Sequence, residues 1–151
     1  MNANHIGRIW LICAVVVINA GCFSIAGELS RDEVARITSP GGNVDAVLVE
    51  TNGGATTSFG YEVFLVPEGG VYDSGVKSAS IYGAVRNEQA YGVNLRWYDA
   101  ETLYVEFLEA KSEPIVQSPV TVDNREINIR LRSGIIDEKA PPGGMLYNRP
   151  R

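Results

Sequence analysis

The most informative segment of the sequence for the fold, Asn43 to Gly70, reads NVDAVLVETNGGATTSFGYEVFLVPEGG. It contains two apolar runs, Asp45 to Glu50 (DAVLVE) and Tyr61 to Val66 (YEVFLV), which are rich in β-branched and aromatic residues. Runs of this kind between turn residues are typical of β-strands. Neither run alternates between polar and apolar residues, as expected of strands that are covered on both faces. We therefore expect them to be neighbours at the centre of a sheet.

A hairpin is predicted just before this stretch. Val34 to Thr38 has the composition of a strand, Ser39 to Asn43 (SPGGN) is a turn, and Val44 to Glu50 returns antiparallel. The Ser-Pro-Gly-Gly turn before a buried strand resembles one blade hairpin of the Tol-type and WD-type propellers. That resemblance implies only a hairpin, because a chain of 151 residues without a repeat cannot supply the several blades of a propeller.

A second hairpin is predicted from strict alternation. Val93, Leu95 and Trp97 share one face of a strand, and Leu103 to Leu108 returns after a turn that begins at Asp99. We expect Trp97 to be largely buried opposite Val105 or Phe107. Ile127 to Arg132 also alternates, and its polar row is expected to lie beside Glu106 on a solvated sheet face.

The remaining segments of the chain also indicate an all-β fold. Ser80 to Arg86 is predicted as a short strand. The run from Ile115 to Val122 is interrupted by Pro119, so any strand there is expected to start afresh at Val120 or to lie at an edge. No long segment has the period of a helix. We predict a single small all-β domain, residues 28–134, of about six to eight mostly antiparallel strands, arranged as a meander sheet, a sandwich or an open barrel. Residues 135–151, rich in Pro and Gly, are predicted to be a flexible tail.

The N-terminus has the layout of a secretory signal or membrane anchor, residues 1–21. His5 and Arg8 precede an uninterrupted apolar run from Ile9 to Ile18. The domain that follows is therefore expected outside the cytoplasm, in the cell envelope or periplasm.

Three outcomes at the end of this segment stay open. Asn19-Ala20-Gly21-Cys22 resembles the bacterial lipobox, which implies a lipoprotein that is lipidated at Cys22; Asn19 stands where that motif normally has an aliphatic residue. Ser24-Ile25-Ala26 fits ordinary cleavage after Ala26, which would release a periplasmic or secreted protein. Ile9 to Ala26 is also long enough to remain as an uncleaved anchor.

The amino-acid composition limits the partners and the catalytic groups that the domain can have. The chain carries 13 Lys and Arg against 18 Asp and Glu, with the cations scattered, so we expect no nucleic acid partner. His5 is the single histidine, and both cysteines, Cys13 and Cys22, lie in the N-terminal segment. A Ser-His-Asp or Cys-His system and a histidine-ligated zinc are thus excluded from the domain, and no cofactor or metal is expected. The acids do not follow a calcium-loop pattern.

The predicted function is a non-catalytic binding or structural role. The chain resembles the small secreted or lipid-anchored proteins of the bacterial cell envelope, a resemblance that implies a compartment and transfers no catalytic or binding residue. Partners are expected to be another envelope protein or a glycan, with membrane attachment through a lipid or an N-terminal anchor. The alternative is a small carboxylate-dependent hydrolase of the envelope, with Glu106 as its best acid because Tyr98, Tyr104 and Arg96 share its face.

The loop from Thr51 to Gly60 is the predicted binding segment. Its glycines, threonines and asparagine could present backbone amides to an anion or a sugar. The ring of Phe59 could stack on a sugar ring. A plain connection between strands has the same composition. The candidate binding residues are Asn52, Gly53, Gly54, Thr56, Thr57 and Phe59.

Overall fold

The structure is a computed structural model that describes residues 29–137. The predicted signal segment with Cys22, and residues 138–151 of the predicted tail, lie outside the described residues. The first residues of that tail contact the domain. The Ile135 amide donates to the Phe107 carbonyl, and Asn94 Nδ2 donates to Asp137 Oδ2 at 3.0 Å.

Residues 29–137 form nine β-strands and one short 3₁₀ turn, Tyr72–Ser74, without an α-helix. The predicted all-β class is confirmed. The structure has nine strands where six to eight were expected, because it includes two very short strands of two and three residues. The strands are β1 (Ser30–Thr38), β2 (Val44–Asn52), β3 (Gly60–Pro67), β4 (Val76–Tyr82), β5 (Val93–Trp97), β6 (Thr102–Phe107), β7 (Ile115–Val116), β8 (Val120–Val122) and β9 (Arg125–Arg132).

The first sheet is antiparallel throughout, in the order β1-β2-β3-β4-β7. β2 and β3 are neighbours, with Val47 opposite Phe64 and Leu48 opposite Val63. The predicted pairing of the two apolar runs is therefore correct. β1 pairs with β2 across the predicted Ser39 to Asn43 turn, with Ile37 opposite Ala46.

Both faces of β2 and β3 are buried, which explains why their sequences do not alternate. Leu48, Val63 and Leu65 point into the core between the two sheets. A second, smaller apolar cluster lies on the opposite face of the same strands. Its members are Val47, Val49, Phe64 and Val66, with Tyr72 packed against them.

The second sheet has the order β5-β6-β9-β8. β5 and β6 form the predicted antiparallel hairpin, and Asp99 Oδ1 accepts the Glu101 amide hydrogen at 2.9 Å, as its turn position predicts. β6 and β9 are parallel and place Glu106 opposite Arg132, so the expected proximity of the polar row to Glu106 is confirmed. β8 and β9 are joined by Asp123 and Asn124, whose positive φ angles of 46° and 61° suit a two-residue hairpin.

Residues 108–124 connect β6 to β9 of the second sheet, and on the way they contribute a strand to the edge of the first sheet. They leave β6, add β7 to the edge of the first sheet with Val116 opposite Ala79, and return to the second sheet as β8. Pro119 lies between the two short strands, and the new strand starts at Val120, as predicted. The segment therefore ties the two sheets together.

The inner faces of the two sheets share one hydrophobic core. Its fully buried side chains include Leu48, Ile81, Leu103 and Ile127. The predicted partner of Trp97 is wrong: it lies opposite Leu103 and not Val105 or Phe107, because the last inward residue of β5 meets the first inward residue of β6 across the turn. Trp97 is partly buried and packs against the core, and its indole Nε1 donates to the Ile37 carbonyl at 3.1 Å.

The predicted strand from Ser80 to Arg86 is also displaced. β4 begins at Val76 and ends at Tyr82. The backbone then enters the left-handed region at Gly83, with φ 68°, a conformation that ends a strand and that glycine adopts without cost. The early part of β4 escaped notice because Lys77 and Ser78 interrupt its apolar residues at an irregularity in the pairing with β3.

Candidate functional site

A pocket of about 470 Å³ opens beside the loop between β2 and β3. Three short segments line it, and each follows or precedes a strand. They are residues 57–59 of the loop, residues 83–87 after β4, and residues 109–111 after β6. Phe59, Ala84 and Val85 supply an apolar wall, while hydroxyl and charged groups stand around it. The pocket has the size and mixed lining of a small-molecule site.

Backbone hydrogen bonds hold the three segments in register. The Gly83 amide donates to the Phe59 carbonyl at 2.8 Å, and the Val85 amide donates to the Glu109 carbonyl at 3.0 Å. The Ser58 amide donates to the Tyr82 hydroxyl at 3.0 Å, which fixes the loop over the end of β4. The loop end is therefore anchored to the framework at the pocket.

Arg86 forms one side of the pocket and is itself almost enclosed. Its guanidinium lies 3.7 Å from the ring centroid of Phe59 and 4.6 Å from that of Tyr91. Nη2 donates to the Tyr91 hydroxyl at 3.2 Å, and Nη1 lies 3.3 Å from Glu50 Oε2. Cation–π stacking of this kind is strongest where water is excluded. Arg86 thereby packs Phe59 of the loop against the body of the domain.

Behind Arg86 lies a buried carboxylate. The side chain of Glu50 is 8% exposed, and burial raises its pKa; the Arg86 charge and the Tyr61 hydroxyl act in the opposite direction without reversing the shift. Burial likewise raises the pKa of the fully buried Tyr61 well above its usual value. Glu50 Oε2, the Tyr61 hydroxyl and Arg86 Nη1 make no hydrogen bond of good geometry, so charge and packing hold the cluster together. Gly92 leaves room for the hydroxyl, since a Cβ there would lie 2.4 Å from it.

Lys111 stands at the mouth of the pocket. Its ammonium donates to Ser58 Oγ at 2.6 Å. Its methylene stem lies against Gly83, where a Cβ would come within 2.7 Å of Lys111 Cγ. Glycine at this position thus lets the lysine stem cross the backbone and places the charge beside the loop.

The predicted binding residues divide between the pocket and its surroundings. Thr57 and Phe59 line it. Asn52 is the last residue of β2 and accepts the Gly54 amide hydrogen through Oδ1 at 2.9 Å. Gly53, Gly54 and Thr56 belong to the loop but are not among the lining residues.

Sequence reasoning missed Arg86 and Lys111 as site residues. They are polar residues in separate segments, and no spacing relates them to each other or to the loop. Their convergence follows from the pairing of β3 with β4 and from the return of the chain after β6. The one available signal was the glycine after Tyr82, which marks a close approach of side chain and backbone.

The carboxylate proposed for hydrolysis lies elsewhere. Glu106 is on the face of the second sheet that points away from the core, where Oε1 accepts from Arg96 Nη2 and Arg132 Nη1, each at 2.9 Å. Both arginines also lie over the Tyr104 ring. Of the lining residues, only Glu109 carries a carboxylate.

Within residues 29–137, no cluster of three or more His, Cys, Asp and Glu side chains is placed to hold a metal ion. A search of the same residues found no helix long and apolar enough to cross a membrane. Comparisons of the chain with protein-family models, with curated proteins and with solved structures found no match.

Proposed function

We propose that the protein is a non-catalytic binding domain of the cell envelope and that its ligand is a glycan held in the pocket beside the β2–β3 loop. The observation that carries the proposal is the pocket itself. An anchored loop, an aromatic ring and two cationic side chains meet around a concave space of about 470 Å³. Functional residues concentrate on loops that a rigid scaffold positions.

The shape of the site favours a glycan over a second protein. Sites for small ligands are concave and span about 300 to 1,000 Å³, whereas a stable protein partner needs a surface of about 800 Å² on each side. The wall of Phe59, Ala84 and Val85 suits the apolar face of a sugar ring, and the hydroxyls of Thr57 and Ser58 suit its oxygens. An envelope protein remains the second expected partner and is an outcome of the test below.

The non-catalytic part rests on the distribution of the acids. Carboxylate-dependent glycoside hydrolysis uses a pair of acids about 5 to 9.5 Å apart across the scissile bond. Glu109 is the single carboxylate along the pocket. Glu106, the best acid of the hydrolase alternative, is occupied by Arg96 and Arg132. Nothing in this arrangement favours the hydrolase.

We also propose that the domain is exported and held at the membrane through a lipid on Cys22, with cleavage after Ala26 as the alternative. The support is the sequence of residues 1–26. Mass spectrometry of the membrane fraction is expected to give a mature N-terminus at acylated Cys22. A terminus at Gly27 would make the protein periplasmic or secreted.

A matched pair of substitutions tests the binding site. Protein from cells that express the full chain is applied to an array of bacterial envelope saccharides. Thr57→Trp places a bulky ring on the pocket lining, whereas Thr56→Trp adds the same ring one residue away, outside the lining. We expect the wild type and Thr56→Trp to bind the same saccharides and Thr57→Trp to lose them. Absence of saccharide binding, or equal binding by both variants, would contradict the proposal.

Two further readouts separate the alternatives. An envelope protein that is captured by wild type and Thr56→Trp but lost with Thr57→Trp would assign the pocket to a protein partner instead. Release of reducing ends from a bound saccharide, abolished in Glu106→Gln, would establish the hydrolase and overturn the non-catalytic assignment.

A further inference from the structure

Lys111 differs from most cationic side chains of the domain in having no ionic partner. Within residues 29–137, six other cations lie in ion pairs with Asp or Glu. These are Arg31, Arg36, Lys77, Arg86, Arg96 and Arg132. Lys111 takes part in none, and the one described polar contact of its side chain is the hydrogen bond to Ser58 Oγ. Its ammonium therefore lies at the pocket without an ion pair.

Lys111 contacts the domain on two sides. The stem of Lys111 packs on the bare backbone of Gly83, and its tip is bound to Ser58, whose own amide donates to Tyr82. A lysine ammonium has three donor hydrogens, and one of them is used. Lys111 is exposed, and the other donor hydrogens remain for a ligand.

The other charged groups of the pocket do not duplicate this role. Arg86 is neutralised by Glu50 and covered by two aromatic rings, so its charge faces inward. Glu109 is exposed and lines the same pocket, yet it forms no ion pair with Lys111. Lys111 therefore attracts an anion, and Glu109 opposes it at the same site.

We infer that the pocket selects glycans that carry a carboxylate, with Lys111 as the residue that binds the acid group. This inference rests on the proposed function and adds the class of sugar to it. An acidic sugar offers a ring for the Phe59 wall and a planar carboxylate for the ammonium. A neutral sugar would leave the Lys111 charge without a partner in the complex, and that difference provides the selectivity.

The test compares two sugars that differ only in the acid groups. Trigalacturonic acid and neutral α-1,4-galactotriose are titrated separately into the protein purified from cells that express the full chain, with binding followed by the amide NMR signals of residues 57–59, 83–87 and 109–111. Three variants are compared with the wild type. Lys111→Met keeps an unbranched stem and removes the charge, Lys77→Met removes an equivalent charge paired with Glu62 outside the pocket lining, and Glu109→Gln removes the opposing charge.

We expect the acidic sugar to bind more tightly than the neutral one. Lys111→Met should weaken its binding by about three- to fivefold, the upper range for a single exposed ion pair, and leave the neutral sugar within about twofold. Lys77→Met should change neither sugar. Glu109→Gln should strengthen the acidic sugar by about two- to threefold through loss of a like charge.

The outcomes separate the inference from the proposed function. If both sugars bind at the pocket signals with equal strength, or if Lys111→Met weakens both equally, selection of acid groups is wrong and the glycan pocket stands. If trialanine with a free carboxylate shifts the pocket signals while trialanine amide and both sugars do not, the acid group belongs to a peptide, and the inference is overturned. If neither sugar binds and the saccharide array is also blank, the inference and the proposed function fall together.

Discussion

The two ends of β2 hold two buried carboxylates that the fold treats in opposite ways. Asp45 is 2% exposed and Glu50 is 7% exposed. Asp45 lies on the outer face of the first sheet at the start of the strand, and Glu50 lies on the inner face near its end. The pKa of Asp45 is lowered, whereas that of Glu50 is raised. Burial alone therefore does not decide the direction.

The hydrogen-bond donors around each carboxylate decide the direction in which its pKa shifts. Burial acts to raise the pKa of Asp45, but three donors reverse the shift: the Gly69 amide at 2.9 Å, the Thr38 hydroxyl at 2.7 Å and Arg36 Nη1 at 2.9 Å. Bonds of this kind favour the ionised carboxylate. Asp45 is thus charged and satisfied, and it fastens β1 and the turn after β3 to β2.

Glu50 lacks such a set of donors. Arg86 approaches it at 3.3 Å, and the Tyr61 hydroxyl stands beside it, but together they do not outweigh desolvation, so its pKa is raised. The cluster under the pocket is therefore held by one charge, which the two aromatic rings keep in place. Substitutions at the two carboxylates and their partners should therefore have different effects on stability.

Removing the arginine at each end should have unequal consequences. Arg86→Met leaves Glu50 as a buried carboxylate without a cation, and we expect unfolding free energy to fall by about 3 to 5 kcal/mol at neutral pH. Arg36→Met leaves Asp45 with two donors and should cost about 1 to 2 kcal/mol. Urea unfolding at pH 7 measures both. Equal losses would mean that the donors at Asp45 do not compensate its burial.

Neutralising the carboxylates should give the reverse order. Asp45→Asn replaces charge-assisted hydrogen bonds by neutral ones and turns an amide toward three donors, so we expect a loss of about 1 to 3 kcal/mol. Glu50→Gln removes a charge that burial already disfavours and leaves Arg86 stacked between two rings. Its effect should stay within about 1 kcal/mol at neutral pH. A larger loss in Glu50→Gln than in Asp45→Asn would contradict the comparison.

The pH dependence of stability should carry opposite signs at the two ends. The raised pKa of Glu50 means that its contribution is fully present below the ordinary glutamate pKa of about 4.3 and is lost as pH rises through the folded value. The lowered pKa of Asp45 means that its contribution is present above the ordinary aspartate pKa of about 3.9 and is lost as pH falls.

Unfolding free energies between pH 3 and 8 test these signs by subtraction. Wild type minus Glu50→Gln should decrease as pH rises above about 4.3, and wild type minus Asp45→Asn should decrease as pH falls below about 3.9. Two differences with the same slope would show that donors and burial do not separate these carboxylates.

The smallest expected effect concerns a single donor. Thr38→Val removes the hydroxyl that donates to Asp45 Oδ1 and keeps the β-branched shape, so we expect a loss of about 1 kcal/mol. Thr121→Val on β8 is the matched control, since Thr121 is also an exposed strand residue and makes no described side-chain hydrogen bond. The control should change stability by less than about 0.5 kcal/mol. An equal loss of stability in both variants would show that the Thr38 hydroxyl does not stabilise Asp45.

Much of the fold followed from local pattern. The pairing of β2 with β3, the hairpin of β5 and β6 and the new strand after Pro119 each depend on residues close together in the chain. Alternation even placed Glu106 beside the polar row of β9. The start of β4 could not be predicted because its polar residues follow an irregularity set by the partner strand. The partner of Trp97 was wrong because the apolar rows of β5 and β6 show which residues share a face but not which residues lie opposite each other.

The candidate site could be predicted only in part. The loop was recognisable from its composition, and Thr57 and Phe59 do line the pocket. The pairing of Arg86 with Glu50 was not accessible, since it joins positions 36 residues apart in the sequence (86 − 50 = 36) through a turn that no periodicity describes. Lys111 depends on a return from the second sheet, and the sequence shows only an isolated lysine before a proline-containing run.

The path of residues 108–124 makes the two sheets a single cooperative unit. Both ends of this segment belong to the second sheet, and its middle, β7, is an edge strand of the first. The parallel strands β6 and β9 are separated in sequence by this connection, which passes between the two sheets. Their pairing therefore raises the mean sequence separation of native contacts and slows folding. In hydrogen exchange, the amides of the two sheets should open together, and a cut between Val116 and Val120 should release both sheets at once.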